Sequence, residues 1–457
     1  MSILYLVCLL SPVAFSVIRK ILPEQPNFLE PMGIAVVFIV GILALTRQPR
    51  LPKFLAIPLI IWAAFQGFYA LLSVFFNIRI GAAGFFVNVI PMLMMLIAYQ
   101  GTTGLRELKW IGNTFGIIGL IILPFGFYVA VFGNVYLPPL FLPNLEMIEL
   151  GKATRAGIPA YAGIFSTQDV LSMVFMAVYF INLALFLGKR QRESFHWWYL
   201  IFAVVSFILV LLSTRRGGLL GIVGGSFMVL ITGNISWKRK LGFAFSGFLA
   251  LVVIVFLDTY FGFVYQEDTT RVFHAMNLDL WVRFKIFFWD VCMYWAEAHP
   301  FGTYLGNAGS EGIVFGSEIF LRGQMVETGG AKLIAEMGVM GALLMPAILF
   351  YVHWKIFRMK TAFHIHAIVR VLFAFNAVFY TLFYFKEWTA MSGGYVSQLF
   401  FWAIPGMCYA LIERERTRRR RPIPMPVVFE EPMDGAPLPY GHLYPPPPPP
   451  PGPRAFR

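Results

Sequence analysis

The chain has 457 residues, of which 58% are hydrophobic, 17% aromatic and only 13% charged, with a mean hydropathy of +0.72. No water-soluble core hides that much apolar surface, so the composition excludes an ordinary soluble protein and implies an integral membrane protein. The net charge of +13 would suggest a nucleic-acid partner in a soluble domain. Here the basic residues are read loop by loop as a topology signal, and no nucleic-acid motif accompanies them.

Crossing ~30 Å of hydrocarbon takes ~20 apolar residues, and about twelve segments meet that demand. They lie near 2–18, 31–46, 54–76, 80–99, 110–133, 170–188, 197–213, 217–233, 241–263, 329–352, 363–384 and 391–412. Each must satisfy its own backbone N–H groups in lipid, so the expected fold is all-α and polytopic. The first segment lacks the basic flank and small-residue cleavage site of a signal peptide and is expected to be a retained span. Arg47, Arg50 and Lys53; Arg106 and Lys109; Lys189, Arg190 and Arg192; Lys238 to Lys240; Lys355, Arg358 and Lys360; and Arg414 to Arg421 then share one side. The positive-inside rule makes that side the cytoplasm, with both termini inside. Arg19 and Lys20 run against the scheme. Residues 1–421 form the transmembrane domain and 264–327 a large outer loop within it. Cys8, Cys292 and Cys408 are too far apart for a disulfide framework or metal spacing.

Arg215 and Arg216 sit in a sharp turn between two spans, on the outer side where basic residues are scarce. Guanidinium forks there serve as bidentate ligands for a diphosphate, or as snorkelling anchors on lipid phosphates; their coincidence with further motifs favours the first. Gly217, Gly221 and Gly225 repeat at a spacing that suits close helix packing. In the large outer loop, residues 278–298 read as an aromatic-rich helix lying in the membrane interface. Trp281, Phe288, Cys292 and Trp295 share one stripe, and Arg283, Asp290 and Glu297 another. The charged row either faces a cavity or is a solvated face. His299-Pro300-Phe301-Gly302-Thr303-Tyr304-Leu305-Gly306 follows, and Glu327-Thr328 opens the next span with Thr328 placed to cap it. Lys332 and Glu336 are one helical turn apart and are expected to pair. His364 and His366 have no third ligand nearby in sequence, so no metal site is expected. Residues 422–457, with the run Pro445 to Pro451, read as a disordered cytoplasmic tail of polyproline II character. It either recruits a proline-binding partner or is inert.

Ser213-Thr214-Arg215-Arg216-Gly217, Arg283, Trp289, His299 to Gly306 and Gly338-Val339-Met340-Gly341 together resemble the O-antigen polymerase and ligase superfamily of polytopic bacterial glycosyltransferases. The resemblance covers roughly residues 169–349. It implies a GT-C-like membrane enzyme of the bacterial inner membrane that joins polyprenyl-diphosphate-linked glycan units at the periplasmic face. No cofactor is implied, and membrane lipid, a flippase and a chain-length regulator are its implied partners. One departure is plain. The ligase branch carries a His-Asn-type pair shortly before its Gly-x-x-Gly, where this chain has Glu327-Thr328, which favours a polymerase over a ligase.

Such a transfer needs cations to stabilise charge developing on the departing diphosphate and a base to take the acceptor hydroxyl proton. Arg215, Arg216 and Arg283 are the candidates for the first task. For the base, Glu327 has the best position and His299 the better-matched intrinsic pKa, with Asp290 and Glu297 in reserve. Neither Arg-based stabilisation nor a carboxylate base requires a metal. A transporter of about twelve spans is the rival from another class, and it would show broken helices with ionisable groups near the midplane.

Overall fold

The computed structural model describes residues 1–21, 29–47, 51–132, 137–141, 154–155, 158–159, 161–165, 167–188, 197–213, 216–232, 283–308, 326, 328–385 and 395–420. These are helical apart from turns, short connections and one two-residue antiparallel pair, Thr154–Arg155 with Ile158–Pro159. In chain order the helices are α1 (Ser2–Ile21), α2 (Leu29–Arg47), α3 (Lys53–Leu72), α4 (Ile78–Val89), α5 (Leu93–Gly101), α6 (Leu105–Phe132), α7 (Gln168–Leu187), α8 (Trp197–Leu212) and α9 (Arg216–Thr232). A π-helical stretch, Arg283–Asp290, runs into α10 (Val291–Ala298), followed by α11 (Gly329–Phe357), α12 (Phe363–Phe385) and α13 (Tyr395–Arg420).

Among the described residues six helical stretches are long and apolar enough to cross a membrane: Lys53–Phe75, Ile78–Gly101, Leu105–Ala130, Gln168–Leu187, Gly329–Phe357 and Phe363–Phe385. Each falls on an expected span. Shorter apolar helices at Ser2–Ile18, Met32–Arg47, Trp197–Leu212 and Gly217–Ile231 fall on four more. α13 covers the segment expected at 391–412, and the one expected at 241–263 lies outside the described residues. The architecture is that of a multi-pass helical membrane protein.

Burial follows from each helix's place in the bundle. α7 is buried along nearly its whole length and packs on α8, α9, α12 and α13. α3 exposes Ile57, Ile60, Ile61, Phe68 and Leu71, a helical stripe of large aliphatic and aromatic groups whose only suitable solvent is lipid. The glycines of α9 act as the spacing suggested. A β-carbon on Gly221 would meet Met176 Sδ at 2.1 Å, and one on Gly225 would meet the Phe180 ring at 2.3 Å, so α9 lies directly on α7.

Among the described residues, the basic segments around 103–109, 355–364 and 413–418 come together at one end of the bundle. Arg414 Nη2 donates to Tyr99 O at 3.5 Å, and Arg416 Nε donates to Lys360 O at 2.9 Å. Tyr99 Oη donates to Glu413 at 2.8 Å. Thr103, Lys109, His364 and Arg418 line one cavity there. Arg106 lies 4.8 Å over Trp110, and Arg358 lies 4.8 Å over Trp354, pairings suited to a membrane–water boundary. Lys20, which breaks the charge rule, is buried and its ammonium donates to Gly163 O at 2.5 Å. The ammonium is thus held by an internal hydrogen bond.

Candidate functional site

At the end of the bundle away from these basic residues, the His299–Gly306 stretch is seated on a break in α11. Thr328 caps this helix, its hydroxyl accepting from Ala331 N at 3.4 Å. The helix breaks at Gly338, where φ is 69° and ψ is −175°, a region open essentially only to glycine. Residues 329–337 are buried on every side, because Gly329 and Gly330 let the Phe383 and Phe288 rings close on the backbone. The remainder, 339–357, spans about 28 Å at ~1.5 Å per residue. It exposes Met340, Leu343, Phe350 and Trp354. That length matches one hydrocarbon thickness, so the break lies about a full membrane span from the basic end.

Breaking a helix frees backbone groups that must find partners. Here the 299–308 loop supplies them. Pro300 O accepts from Val339 N at 3.1 Å, and both Thr303 N and Thr303 Oγ1 donate to Ala335 O at 2.9 Å. The two backbones touch: a β-carbon on Gly302 (φ 76°) would stand 2.4 Å from Gly338 N, and one on Gly338 would stand 2.4 Å from Pro300 O. α3 and α4 hold the far side of the loop. Tyr69 Oη donates to Phe301 O at 2.7 Å, the Phe76 and Tyr304 rings stack at 5.1 Å, and Gly84 lies against Gly306 backbone. Ala308 N donates to Glu336 Oε1 at 3.1 Å.

Lys332 and Glu336 do pair, Nζ to Oε1 at 3.9 Å, with both side chains buried. Burying two charges costs several kcal/mol per ion unless each is compensated. We therefore expect Lys332→Ala, which leaves the carboxylate without its cation, to destabilise the protein by about 3–5 kcal/mol. Lys332→Met with Glu336→Leu should cost less than the single change. Thermal unfolding of the purified variants measures both, and a double variant weaker than Lys332→Ala would contradict the pairing.

The helix expected within 278–298 is present over the described residues 283–298, and its aromatic stripe faces the bundle. Phe288, Cys292 and Trp295 form the stripe that packs on the protein, Phe288 lying 5.7 Å from Tyr384 and 4.8 Å from Phe385. The face turned outward carries Phe284, Ile286, Trp289, Met293 and Tyr294. Asp290 and Glu297 are exposed, and Asp290 accepts from Lys285 Nζ at 2.9 Å, so these two carboxylates belong to a solvated face and not to a cavity. Cys292 is buried in this stripe, and burial pushes its thiol up to about 12, which favours the protonated form.

His299 is exposed, its N–H donates to Trp295 O at 2.8 Å, and its ring lies 5.3 Å from that of Trp295. It closes α10 and opens the seated loop, leaving the imidazole at the surface of the site. Arg215 and Glu327 lie outside the described residues, and for Arg216 and Arg283 the backbone alone is described. The described elements that carry Arg216 and Arg283 both reach the end of α12. Arg283 opens the π-helical stretch that sets Phe288 against Gly330, next to the capped start of α11. Arg216 opens α9, whose Gly221 faces Leu382 near the end of α12, while Gly329 faces Phe383 one residue on. Arg216 is therefore roughly 7–8 Å further along the helix axis, at the level where α12 ends. Sequence reasoning missed Tyr69, Gly84 and the Thr303 cap; paired glycines at 302 and 306 were the available signal. No protein-family model matches the chain, and no curated protein matches it.

Proposed function

We propose that this chain is a membrane glycosyltransferase of the O-antigen polymerase type, with about twelve spans in a GT-C-like arrangement. It extends polyprenyl-diphosphate-linked glycans at the periplasmic face of a bacterial inner membrane, and both termini are cytoplasmic. The observation that carries the reading is the seating of His299–Gly306 on Gly338: two motifs of the resemblance, distant in sequence, form one hydrogen-bonded unit. The helix starts that bear Arg216 and Arg283 reach the end of α12, near the capped start of α11. In the reaction the acceptor hydroxyl oxygen forms a bond to sugar C1 as the bond from C1 to the diphosphate oxygen breaks. Glu327 takes the hydroxyl proton, with His299 as the second candidate. Arg215, Arg216 and Arg283 hold the diphosphate as it leaves. Transfer of the glycan to a different acceptor, as in the ligase branch, uses the same parts.

One observation favours the transporter reading: α11 is broken and carries a buried Lys332–Glu336 pair at the break. In transporters of that kind, freed helix ends face a substrate or ion. Here Thr303 and Pro300 occupy the freed groups, which favours a structural break over a transport site. Purified protein in vesicles containing polyprenyl-diphosphate-linked repeat units should yield longer lipid-linked glycans and free polyprenyl diphosphate. Removing residues 422–457 should leave that activity in place. Solute flux without glycosidic bond formation would overturn the enzyme reading.

A further inference from the structure

At the basic end of the bundle, the connection between α5 and α6, the first turns of α6 and α12 and the last turns of α13 surround a cavity of about 560 Å³. That lies within the roughly 300–1,000 Å³ of sites that hold whole small molecules. Six of its lining residues are ionisable: Lys109 from α6, His364 from α12, and Glu413, Arg414, Glu415 and Arg418 from α13.

The cations outweigh the anions available to them. Glu413 accepts from Tyr99 Oη at 2.8 Å, which ties its carboxylate to α5. Among the described residues no ion pair involves Lys109, Arg414 or Arg418. Arg414 and Arg418 are four residues apart on α13, about 6 Å along the axis on one face, and like charges at that spacing repel. An anion in the cavity they share with Lys109 offsets that repulsion. The neighbouring Arg416 is turned elsewhere, its Nε donating to Lys360 O at 2.9 Å.

The level of the cavity narrows the chemistry of the anion. Arg106 lies 4.8 Å over Trp110, on the turn of α6 that carries Lys109, a pairing that marks the membrane–water boundary. Phosphate groups of lipids lie at that boundary, and basic pockets between membrane helices suit their headgroups. A guanidinium fork grips two phosphate oxygens at once, and a lysine adds a point charge.

We infer that this cavity is a binding site for a phosphate ester, held by Lys109, Arg414 and Arg418, whose source is an anionic phospholipid headgroup or a soluble phosphate compound. The site stands about a membrane span from the break in α11 and follows from cavity size, charge and level, whichever reaction the chain performs. Its occupant links the ends of α6 and α13.

The full chain purified in a maltoside detergent, which carries no phosphate, provides the test. Added phosphatidylglycerol should raise the unfolding temperature in a saturable manner, as expected for a ligand that binds the folded state. A comparable rise with glycerol 3-phosphate identifies a soluble ester as sufficient; a rise with the lipid alone identifies a headgroup. No rise with either overturns the inference. Lys109→Gln and Arg418→Gln should each weaken the apparent affinity by about tenfold, the loss expected for one charge-assisted contact. Arg358→Gln, a basic residue at the same end that lies over Trp354 outside the cavity, should leave it unchanged. An equal loss in Arg358→Gln would mean a diffuse basic surface and would also overturn the inference. A structure of the unaltered chain with phosphatidylglycerol gives a check independent of the variants: phosphate density belongs between α6 and α13, and density confined to other places contradicts the site.

Discussion

Gly338→Ala and Gly302→Ala are expected to be strongly damaging methyl additions, because each combines a left-handed backbone with a backbone contact. At Gly338 the new residue would have to hold a φ of 69°, which costs about 1–3 kcal/mol for any residue but glycine. Its β-carbon would also press on Pro300 O, a backbone atom that cannot swing aside as a side-chain tip does. Separating the two strands enough to admit it stretches the hydrogen bond from Val339 to Pro300 and the two from Thr303 to Ala335, each worth about 1 kcal/mol. The total is about 3–5 kcal/mol, at the upper end of single-site effects. Gly104→Ala is the contrast, since nothing lies within 4 Å of its added β-carbon, and it should change stability by less than about 0.5 kcal/mol. Thermal unfolding of the three variants in detergent measures the difference. Equal stability for Gly338→Ala and Gly104→Ala would mean that the loop does not seat on the break.

The second large effect concerns chemistry. Arg215→Ala, Arg216→Ala and Arg283→Ala should each leave expression and membrane insertion intact while reducing polymer growth on the order of 10²–10³-fold, the usual consequence of removing one transition-state donor. Lysine should restore only part of the loss, because a point charge replaces a planar fork suited to two phosphate oxygens. Glu327→Gln should abolish growth if that carboxylate takes the proton, with His299→Ala milder because the imidazole lies at the exposed margin. Chain length of the glycan product, read on membranes with matched protein levels, checks all of these. Wild-type polymer after all four position changes, Arg215, Arg216, Arg283 and Glu327, would remove the proposed site.

Helix placement was legible in the sequence because lipid imposes a length and an apolar content that few other contexts demand. The Thr328 cap and the Lys332–Glu336 pair were legible too, since both are fixed by spacing along one helix. Relations between elements were harder to read. Gly338 could be seen as part of a Gly-x-x-Gly, yet a glycine that admits a neighbouring helix and one that breaks its own helix look alike until the contacting loop is known. The stripe of Phe288, Cys292 and Trp295 was grouped correctly, but aromatic side chains serve a protein core and a lipid surface equally well, so the spacing alone does not give its direction. Lys20 misled the charge count because its partner, Gly163 O, lies in a distant segment. Within the candidate site, the stretches 299–306 and 338–341 were singled out from the sequence, whereas their contact through Pro300, Thr303 and Gly338 required the fold.

The central claim is that guanidinium groups and a carboxylate surround one lipid-linked diphosphate near the capped start of α11. A structure of the full chain in nanodiscs with bound polyprenyl diphosphate tests it most directly. The account predicts phosphate density held by Arg215, Arg216 and Arg283, with Glu327 facing the position of the sugar C1. Phosphate density elsewhere on the bundle, or these guanidinium groups turned toward acyl chains, would contradict it.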